Sequence, residues 1–150
     1  MPVTVRASPG DAPDLYGVLG NPVEHSQSPF IHAEFARATG ERIEYVRVWC
    51  PLDGFADTVR DFARGSHGRP ARGCNVTVPF KFEAPRLAAR LSERAALARA
   101  ANVLAFDADG WSADNTDGVG LCRDIEANAG VPLAGTRVLL IGAGGAAAGV

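Results

Sequence analysis

The sequence predicts an α/β fold in which an open, mostly parallel sheet is flanked by helices. From Leu15 onward, short runs rich in β-forming residues alternate with amphipathic segments of helical length. Strands that alternate with helices of about 10–15 residues are typical of βαβ units and parallel sheets. The chain has 150 residues, of which 47% are hydrophobic. Such a chain forms one globular domain and buries roughly two-thirds of its unfolded surface.

The order of the elements follows from the alternation of these runs. Six short β-rich runs are predicted as strands: 15–20, 43–50, 73–78, 102–107, 111–114 and 138–141. Five segments are predicted as helices: 28–40, 55–63, 82–91, 92–100 and 118–130. A turn at Asp109-Gly110 is expected to join the fourth and fifth strands.

The first predicted helix carries clear start and stop signals. Ser28 is expected at its N-cap, Pro29 at its first helical position and Gly40 past its end. The residues with the i, i+4, i+7 spacing of one buried face are Ile31, Phe35 and Ala38.

The later helices also carry start or stop signals. The second is expected to stop at Gly65 and to bury a face formed by Phe55, Val59 and Phe62. Ser92 is the expected cap of the fourth helix, and Gly130 ends the fifth.

Composition and charge exclude several classes of protein. The net charge is −2 and no basic block is present, so we expect neither nucleic acid nor an anionic membrane as partner. The apolar run 138–150 is shorter than the about 20 residues of a bilayer-spanning helix. Cys50, Cys74 and Cys122 lack a CxxC pattern, which favours buried thiols in the cytoplasm over disulfides or a zinc site. Residues 1–14 lack the apolar segment of a signal peptide and are expected to form a flexible leader.

A glycine cluster after the last predicted strand is a candidate phosphate-binding loop. Residues 142–147 read Gly-Ala-Gly-Gly-Ala-Ala and fit the pattern G-x-G-x-x-G/A at the start of a Rossmann-type βα unit. Small residues let the backbone approach a pyrophosphate, whose charge is stabilised by N–H groups at the helix N-terminus. The alternative is a tight turn with close helix–strand packing. The residue that reads the ribose lies about 20 positions further on, beyond Val150.

The stretch NVTVPFK, residues 75–81, is a second candidate. Asn75 and Thr77 alternate with valines, so both polar side chains are expected on the same face of a strand. Lys81 follows at a strand-to-helix turn, and open α/β sheets bind ligands at the carboxyl ends of their strands. An amide, a hydroxyl and an ammonium there suit a polyhydroxylated anion. The alternative is a solvated edge with a surface lysine.

The stretch DNTDG, residues 114–118, allows two interpretations. Clusters of Asp and Asn usually make turns and caps, and Asp117 could cap the helix that starts at Gly118. If Asp117 instead faced Lys81, the two would form an acid–base pair. In that case Asp117 would orient the amine and bind a substrate hydroxyl.

The loop GNPVEHSQSP, residues 20–29, offers a site for a carboxylate. Ser26 and Ser28 flank one residue, so their hydroxyls are expected on one side, near the positive end of the following helix. The competing interpretation is that Ser28 only caps that helix. His25 and His32 have no third ligand in view, so no metal site is predicted.

Five stretches in this order resemble the shikimate dehydrogenase family. They are YGVLGNPVEHSQSPFIH, GCNVTVPFK, AANVLAF, ADNTDGVG and LLIGAGGAA, and the resemblance extends from Tyr16 to Val150. It implies an α/β substrate domain followed by a Rossmann domain for NADP. It also implies the reversible reduction of 3-dehydroshikimate to shikimate in aromatic amino-acid biosynthesis.

The resemblance also implies a role for each matching residue. Ser26 and Ser28 would bind the substrate carboxylate, and Lys81 would exchange the proton during hydride transfer. The ring hydroxyls would be held by Asn75, Thr77, Asn102 and Asp117. The catalytic residues would be Lys81 and Asp117. The cofactor pyrophosphate would be bound by Gly142, Ala143, Gly144, Gly145 and Ala146.

Three positions depart from the family pattern, and the chain is shorter than family members. Arg99 replaces a usual glycine and Val103 a usual threonine, which removes one possible hydroxyl contact. Phe82 replaces a residue that is often polar, a tolerable change. Family members continue for more than another hundred residues. If these 150 residues were the whole polypeptide, we would expect a substrate pocket, a frayed or sticky apolar tail and little turnover.

The expected organisation and function follow from this resemblance. A leader would span 1–14, the substrate domain 15–117, a linking helix and loop 118–135, and the start of an NADP domain 136–150. The expected activity is an NADP-dependent shikimate dehydrogenase, acting as a monomer or homodimer. The alternatives are a quinate/shikimate dehydrogenase of broader specificity and a non-catalytic shikimate-binding module. A protein similar to methylenetetrahydrofolate dehydrogenase is disfavoured by the paired serines and the NTDG element.

Overall fold

A six-stranded mixed sheet forms the centre of the computed structural model, which describes residues 12–150. The strands, in chain order, are β1 Asp14–Gly20, β2 Ile43–Trp49, β3 Ala71–Val76, β4 Arg90–Leu91, β5 Val103–Ala105 and β6 Ser112–Asp114. Their order across the sheet is β2-β1-β3-β5-β6-β4. Three of the strand pairs are parallel (β1/β2, β1/β3, β4/β6) and two are antiparallel (β3/β5, β5/β6). The predicted fold class, a mostly parallel open sheet flanked by helices, is confirmed.

Five α-helices accompany the sheet in the described residues. They are α1 Ser28–Thr39, α2 Phe55–Arg64, α3 Glu93–Ala98, α4 Asp117–Arg123 and α5 Gly145–Ala148. Short 3₁₀ turns lie at Phe80–Phe82 and Ala84–Leu87, and a π-helical turn, Asp124–Asn128, extends α4. Most of the predicted leader lies outside the described residues, and Asp14 already belongs to β1.

The core lies between α2 and the parallel strands. The predicted face of α2 is confirmed, since Phe55, Val59 and Phe62 are all buried. Leu15 and Leu19 of β1 belong to the same cluster. Burial of each such side chain contributes about 1.5–3 kcal/mol before the loss of chain entropy. This cluster holds the carboxyl ends of β1 and β3 side by side.

Several predicted boundaries are confirmed in detail. Gly40 and Gly65 end α1 and α2 in the left-handed conformation, with φ of 73° and 116°. The hydroxyl of Ser92 accepts a hydrogen bond from the N–H of Ala95, as expected of an N-cap. The hairpin β5–β6 turns through Asp109-Gly110, and Gly110 has a φ of 107°.

The predicted buried face of α1 is wrong. Phe35 is 61% exposed and Ile31 42% exposed, whereas Ala36 is buried and His32 half-buried. The reason is a contact from β2, because the ring of Tyr45 stacks on that of His32 with centroids 4.1 Å apart. His32 and Ala36 are four positions apart and therefore share the face that meets the sheet.

Two further predicted segments differ from the structure. The predicted helix 82–91 is replaced by 3₁₀ turns and β4, because the extended backbone at Ala88 leads into pairing with Trp111. The predicted strand 138–141 does not form, although the helix after it does. Val138, Leu139 and Ile141 are 71–87% exposed and pair with no strand of the described chain. A lone strand leaves its N–H and C=O groups unpaired, which explains why this segment stays irregular.

Candidate active site

Lys81 lies beyond the carboxyl end of β3, in the first 3₁₀ turn. The turn is anchored by Phe80, which is buried and stacks on Phe55 with ring centroids 4.6 Å apart. The backbone carbonyl of Lys81 accepts a hydrogen bond from the N–H of Ala101 at 2.8 Å. The start of the lysine side chain is therefore fixed by the core on one side and by the loop before β5 on the other.

Lys81 and Asp117 form an ion pair at the carboxyl ends of the strands. Lys81 Nζ donates to Asp117 Oδ2 at 2.6 Å, and the two side chains are only 15% and 22% exposed. Asp117 is the first residue of α4 and Thr116 occupies the N-cap, with no side-chain capping bond. The interpretation of Asp117 as a helix cap is therefore wrong, and the alternative geometry, in which it faces Lys81, is the one observed.

Two asparagines hold Asp117 in place, one at its carboxylate and one at its backbone N–H. Asn102 Nδ2 donates to Asp117 Oδ1 at 3.0 Å and to the hydroxyl of Thr116 at 2.9 Å. Buried Asn115 accepts the backbone N–H of Asp117 at 3.1 Å and donates to the carbonyl of Ala100 at 3.0 Å. The start of α4 and the loop before β5 are thus joined by hydrogen bonds at the site.

Asp114 links α3 to the segment that carries Asn115. Its carboxylate accepts hydrogen bonds from Arg94, from the hydroxyl of Ser92 and from the N–H of Asn115. The bond from Arg94 is the main cause that lowers the pKa of Asp114, and the bonds from Ser92 and Asn115 add to it against the effect of partial burial. The carboxylate therefore stabilises the fold in its charged form.

Replacement of Asp114 by asparagine is expected to weaken the fold near neutral pH. A carboxylate whose pKa is lower in the folded than in the unfolded chain contributes stability above about pH 4, and that contribution is lost as the pH falls through the folded pKa. We expect Asp114→Asn to reduce the free energy of unfolding by about 0.5–1 kcal/mol at pH 7, a small value because the group is partly exposed. Urea unfolding of the 150-residue chain at pH 7, 5 and 3 measures the difference.

The difference between parent and variant should shrink towards pH 3. Asp107→Asn is the matched control, because Asp107 also pairs with an arginine, Arg90, at 3.1 Å but is half-exposed. It should change stability by less than half as much. A deficit in the Asp114 variant that stays constant from pH 7 to pH 3 would contradict the role of the charged form.

The serine pair lies between β1 and α1. The hydroxyl of Ser26 donates to that of Ser28 at 3.0 Å and accepts the N–H of Ser28 at 3.2 Å. The predicted N-cap is wrong, because Gln27 occupies that position and Ser28 is the first helical residue. Arg47 donates to the carbonyl of Ser26 through two nitrogens, at 2.9 and 2.7 Å. Both hydroxyls therefore lie close together, as the sequence predicts.

Asn75 and Thr77 lie at the end of β3, in different environments. Asn75 accepts a hydrogen bond from the phenol of Tyr45 at 2.6 Å and donates to the carbonyl of Asn102 at 3.2 Å. Thr77 lies past the strand end, and its methyl group packs against Gly20 so closely that a Cβ there would come within 2.3 Å. Asn75 is thereby joined to the loop that carries Asn102, whereas Thr77 lines the edge near the serine loop.

Tyr45 is a site residue that sequence reasoning missed. Burial raises the pKa of its phenol, so the group remains a hydrogen-bond donor through the physiological range. The available signal was the strand alternation, since Tyr45 and Arg47 are two apart on β2 and share a face. Arg47 reaches the serine loop at the carbonyl of Ser26, and Tyr45 stacks on His32, whose Nδ1 lies 3.0 Å from the carbonyl of Ser28.

The glycine cluster lies against Lys81. A Cβ added to Gly145 would lie 2.7 Å from Cβ of Lys81, and one added to Gly149 would lie 2.5 Å from Oδ1 of Asn115. Gly142 has a φ of 129°, a conformation that L side chains rarely adopt. The predicted phosphate-binding loop and the predicted lysine site are therefore adjacent. Within the described residues, no group of His, Cys, Asp and Glu side chains could hold a metal ion.

Comparison with known proteins shows the family to which the chain belongs. Residues 18–104 match the family model described as the shikimate dehydrogenase substrate binding domain. The chain belongs to the shikimate dehydrogenase family. A curated relative, the NADP(+)-dependent shikimate dehydrogenase of Methylibium petroleiphilum, is 68% identical over 141 residues, which are 93% of this chain and 48% of the relative.

Solved structures agree with this membership. The Ael1 enzyme from Pseudomonas putida is 50% identical, with a TM-score of 0.81 over 91% of this chain and 49% of its own. Shikimate 5-dehydrogenase from Thermus thermophilus, in complex with NADP(H) and shikimate, is 32% identical with a TM-score of 0.81 over 91% and 50%. The chain thus spans about half the length of the relatives it matches.

The structure gives a physical account of one departure from the shikimate dehydrogenase pattern. Arg99 ends α3 in the left-handed conformation, with a φ of 50°. This conformation costs a non-glycine residue roughly 1–2 kcal/mol, and a glycine adopts it without that cost. The usual glycine of the family suits this position for that reason, and exposed Arg99 occupies it at some expense of stability.

Described residues 12–150 contain no helix long and apolar enough to cross a membrane.

Proposed function

We propose that the protein carrying this chain is an NADP-dependent shikimate dehydrogenase, which reversibly reduces 3-dehydroshikimate to shikimate. The observation that carries the proposal is the Lys81–Asp117 pair, 2.6 Å apart and largely buried, against which the glycine cluster lies. The relatives from Methylibium petroleiphilum and Thermus thermophilus support it, since both are shikimate dehydrogenases that match this chain over most of its length.

The side chains around this pair match the chemistry of the substrate. The hydroxyls of Ser26 and Ser28, at the N-terminus of α1, would bind the carboxylate. Hydrogen-bonding side chains would hold the ring hydroxyls, and we assign this role to Asn75, Thr77, Asn102 and Asp117. Asn75 keeps one N–H and one oxygen lone pair that its hydrogen bonds to the described residues do not use.

Lys81 is assigned the proton transfer. In the oxidation of shikimate, Lys81 accepts the hydroxyl proton at Nζ with its amine in the neutral form, while the C=O bond forms and the C–H bond of the reacting carbon breaks with its electron pair as hydride. Asp117 holds the amine at 2.6 Å and keeps free lone pairs for the substrate hydroxyl. In the reverse direction Lys81 returns the proton to the carbonyl oxygen.

The glycine cluster fits the pyrophosphate of NADP. Gly142, Ala143, Gly144, Gly145 and Ala146 would hold it, and a Cβ at Gly142 or Gly144 would meet no atom within 4 Å, which leaves open space over that backbone. The first amides of a helix have no partner within it, so those of α5 would be available to such an anion. When bound, NADP supplies the hydride acceptor next to Lys81.

The organisation of the whole protein is part of the proposal. We assign residues 15–117 to the substrate domain, 118–135 to the connection and 136–150 to the start of the NADP domain, with 1–14 as a leader. The protein is proposed to be cytoplasmic, a monomer or homodimer, with no nucleic-acid or membrane partner.

The test uses a full-length chimera, in which this chain is joined to the second half of the Methylibium petroleiphilum relative. We expect shikimate-dependent reduction of NADP, measured by absorbance at the nicotinamide band. A higher kcat/KM for quinate than for shikimate would favour the broader quinate/shikimate enzyme. Binding of shikimate without turnover would favour a binding module and overturn the enzymatic assignment.

A further inference from the structure

Tyr45 joins the two halves of the proposed substrate site. Its phenol donates to Oδ1 of Asn75 at 2.6 Å. Nδ2 of Asn75 in turn donates to the carbonyl of Asn102 at 3.2 Å. A flipped carboxamide would place its NH₂ group against the phenol donor and its oxygen against a carbonyl, so these two bonds fix the orientation of Asn75.

The ring of Tyr45 is itself held from α1. It stacks on His32 with an interplanar angle of 23°, and His32 Nδ1 lies 3.0 Å from the carbonyl of Ser28. Tyr45 therefore contacts Asn75 through its oxygen and is linked through His32 to the backbone of Ser28.

We propose that Tyr45 is a positioning residue that sets the orientation of Ser28 and Asn75 relative to each other, and thereby the affinity for shikimate. This inference rests on the proposed function. Tyr45 acts on the substrate only through these two residues. Because burial raises the pKa of Tyr45, the phenol keeps its proton in the physiological range.

The test is Tyr45→Phe in the full-length chimera. The substitution keeps the ring that stacks on His32 and removes only the oxygen. Loss of a donor to a half-buried acceptor is expected to raise KM for shikimate about fivefold to thirtyfold. KM for NADP should stay within twofold and kcat should fall less than fivefold, since neither Lys81 nor the glycine cluster contacts the phenol. A structural defect would instead change both KM values and the melting temperature together.

The chain offers a matched control and a double-mutant cycle. Tyr16, its only other tyrosine, is partly buried near Asp14, towards the opposite end of β1, and Tyr16→Phe should leave KM for shikimate unchanged. Asn75→Ala should raise KM by itself, and adding Tyr45→Phe to it should raise KM less than twofold further.

The outcomes separate this inference from the proposed function. An inactive parent chimera would refute the proposed function itself. An active parent with an unchanged KM in Tyr45→Phe would refute only the role of Tyr45. Equal effects of Tyr45→Phe and Tyr16→Phe, or fully additive effects of Tyr45→Phe and Asn75→Ala, would refute it as well.

Discussion

Replacement of Lys81 by alanine is expected to lower kcat for shikimate oxidation in the full-length chimera by about 10³-fold, within the range of about 10²–10⁴ for general acid–base groups. The variant loses the group that takes the hydroxyl proton, and Asp117 loses its partner at 2.6 Å. KM for NADP should change less than threefold, because the glycine cluster meets only the first carbons of the lysine side chain. Initial rates at saturating shikimate and NADP measure the effect.

Arg86→Ala is the matched control for this prediction. Arg86 is an exposed cation in the next 3₁₀ turn, so its loss changes charge near the site without removing the proton acceptor. We expect kcat within twofold of the parent. A Lys81→Ala variant that keeps more than a tenth of the parent kcat would exclude Lys81 as the principal proton-transfer group.

The contact of Lys81 with the substrate can also be measured by chemical modification. Lys81 is the only lysine in the sequence. Acetylation of the 150-residue chain therefore reports on Lys81 alone once modification of the N-terminal amine is assigned by peptide mapping. Shikimate should slow acetylation of Lys81 and leave the N-terminal amine unaffected. Equal rates with and without shikimate would show that the bound substrate does not cover the amine.

The positions of Lys81 and Asp117 in their motifs could be predicted from sequence, but their contact could not. An aspartate at a helix start satisfies the pattern of a cap as well as that of a site residue. Asn115 decides between them, because its Oδ1 already accepts the backbone N–H of Asp117 and leaves the carboxylate to face Lys81. This hydrogen bond depends on the folded positions of β6 and α4 and has no separate sequence signal.

Long-range contacts also explain the other differences from prediction. Tyr45 and Asn75 are 30 positions apart, and only the parallel pairing of β2, β1 and β3 brings them together. The stacking of Tyr45 on His32 likewise selects the face of α1 that meets the sheet. Local patterns sufficed for α2, because its apolar residues occupy a single stripe. In α1 apolar residues occur on more than one face, so tertiary contacts make the choice.

Replacement of Asp117 by asparagine is expected to lower kcat/KM for shikimate in the full-length chimera by about 10²–10³-fold, the scale of a lost site-orienting interaction. The two carboxylate oxygens accept from Lys81 and from Asn102, at 2.6 and 3.0 Å. An asparagine has one oxygen and one NH₂ group, so one of these two donors must face another donor. Lys81 then loses its fixed position, or Asn102 rotates away from the ring hydroxyl that we assign to it.

A comparison with an exposed aspartate on the same segment separates this effect from a general change in charge. Asp124 accepts only a local hydrogen bond from Asn128 among the described side-chain contacts, and Asp124→Asn should leave kcat/KM within twofold. Because Asp117 acts partly through Lys81 and partly on the substrate hydroxyl, its substitution in a Lys81→Ala background should cost less than it costs alone, as is typical of residues that act as a unit. Full additivity in that background would mean that Asp117 acts on the substrate independently of Lys81. The buried 2.6 Å pair would then be two separate binding groups, and the proton-transfer role would rest on Lys81 without a partner.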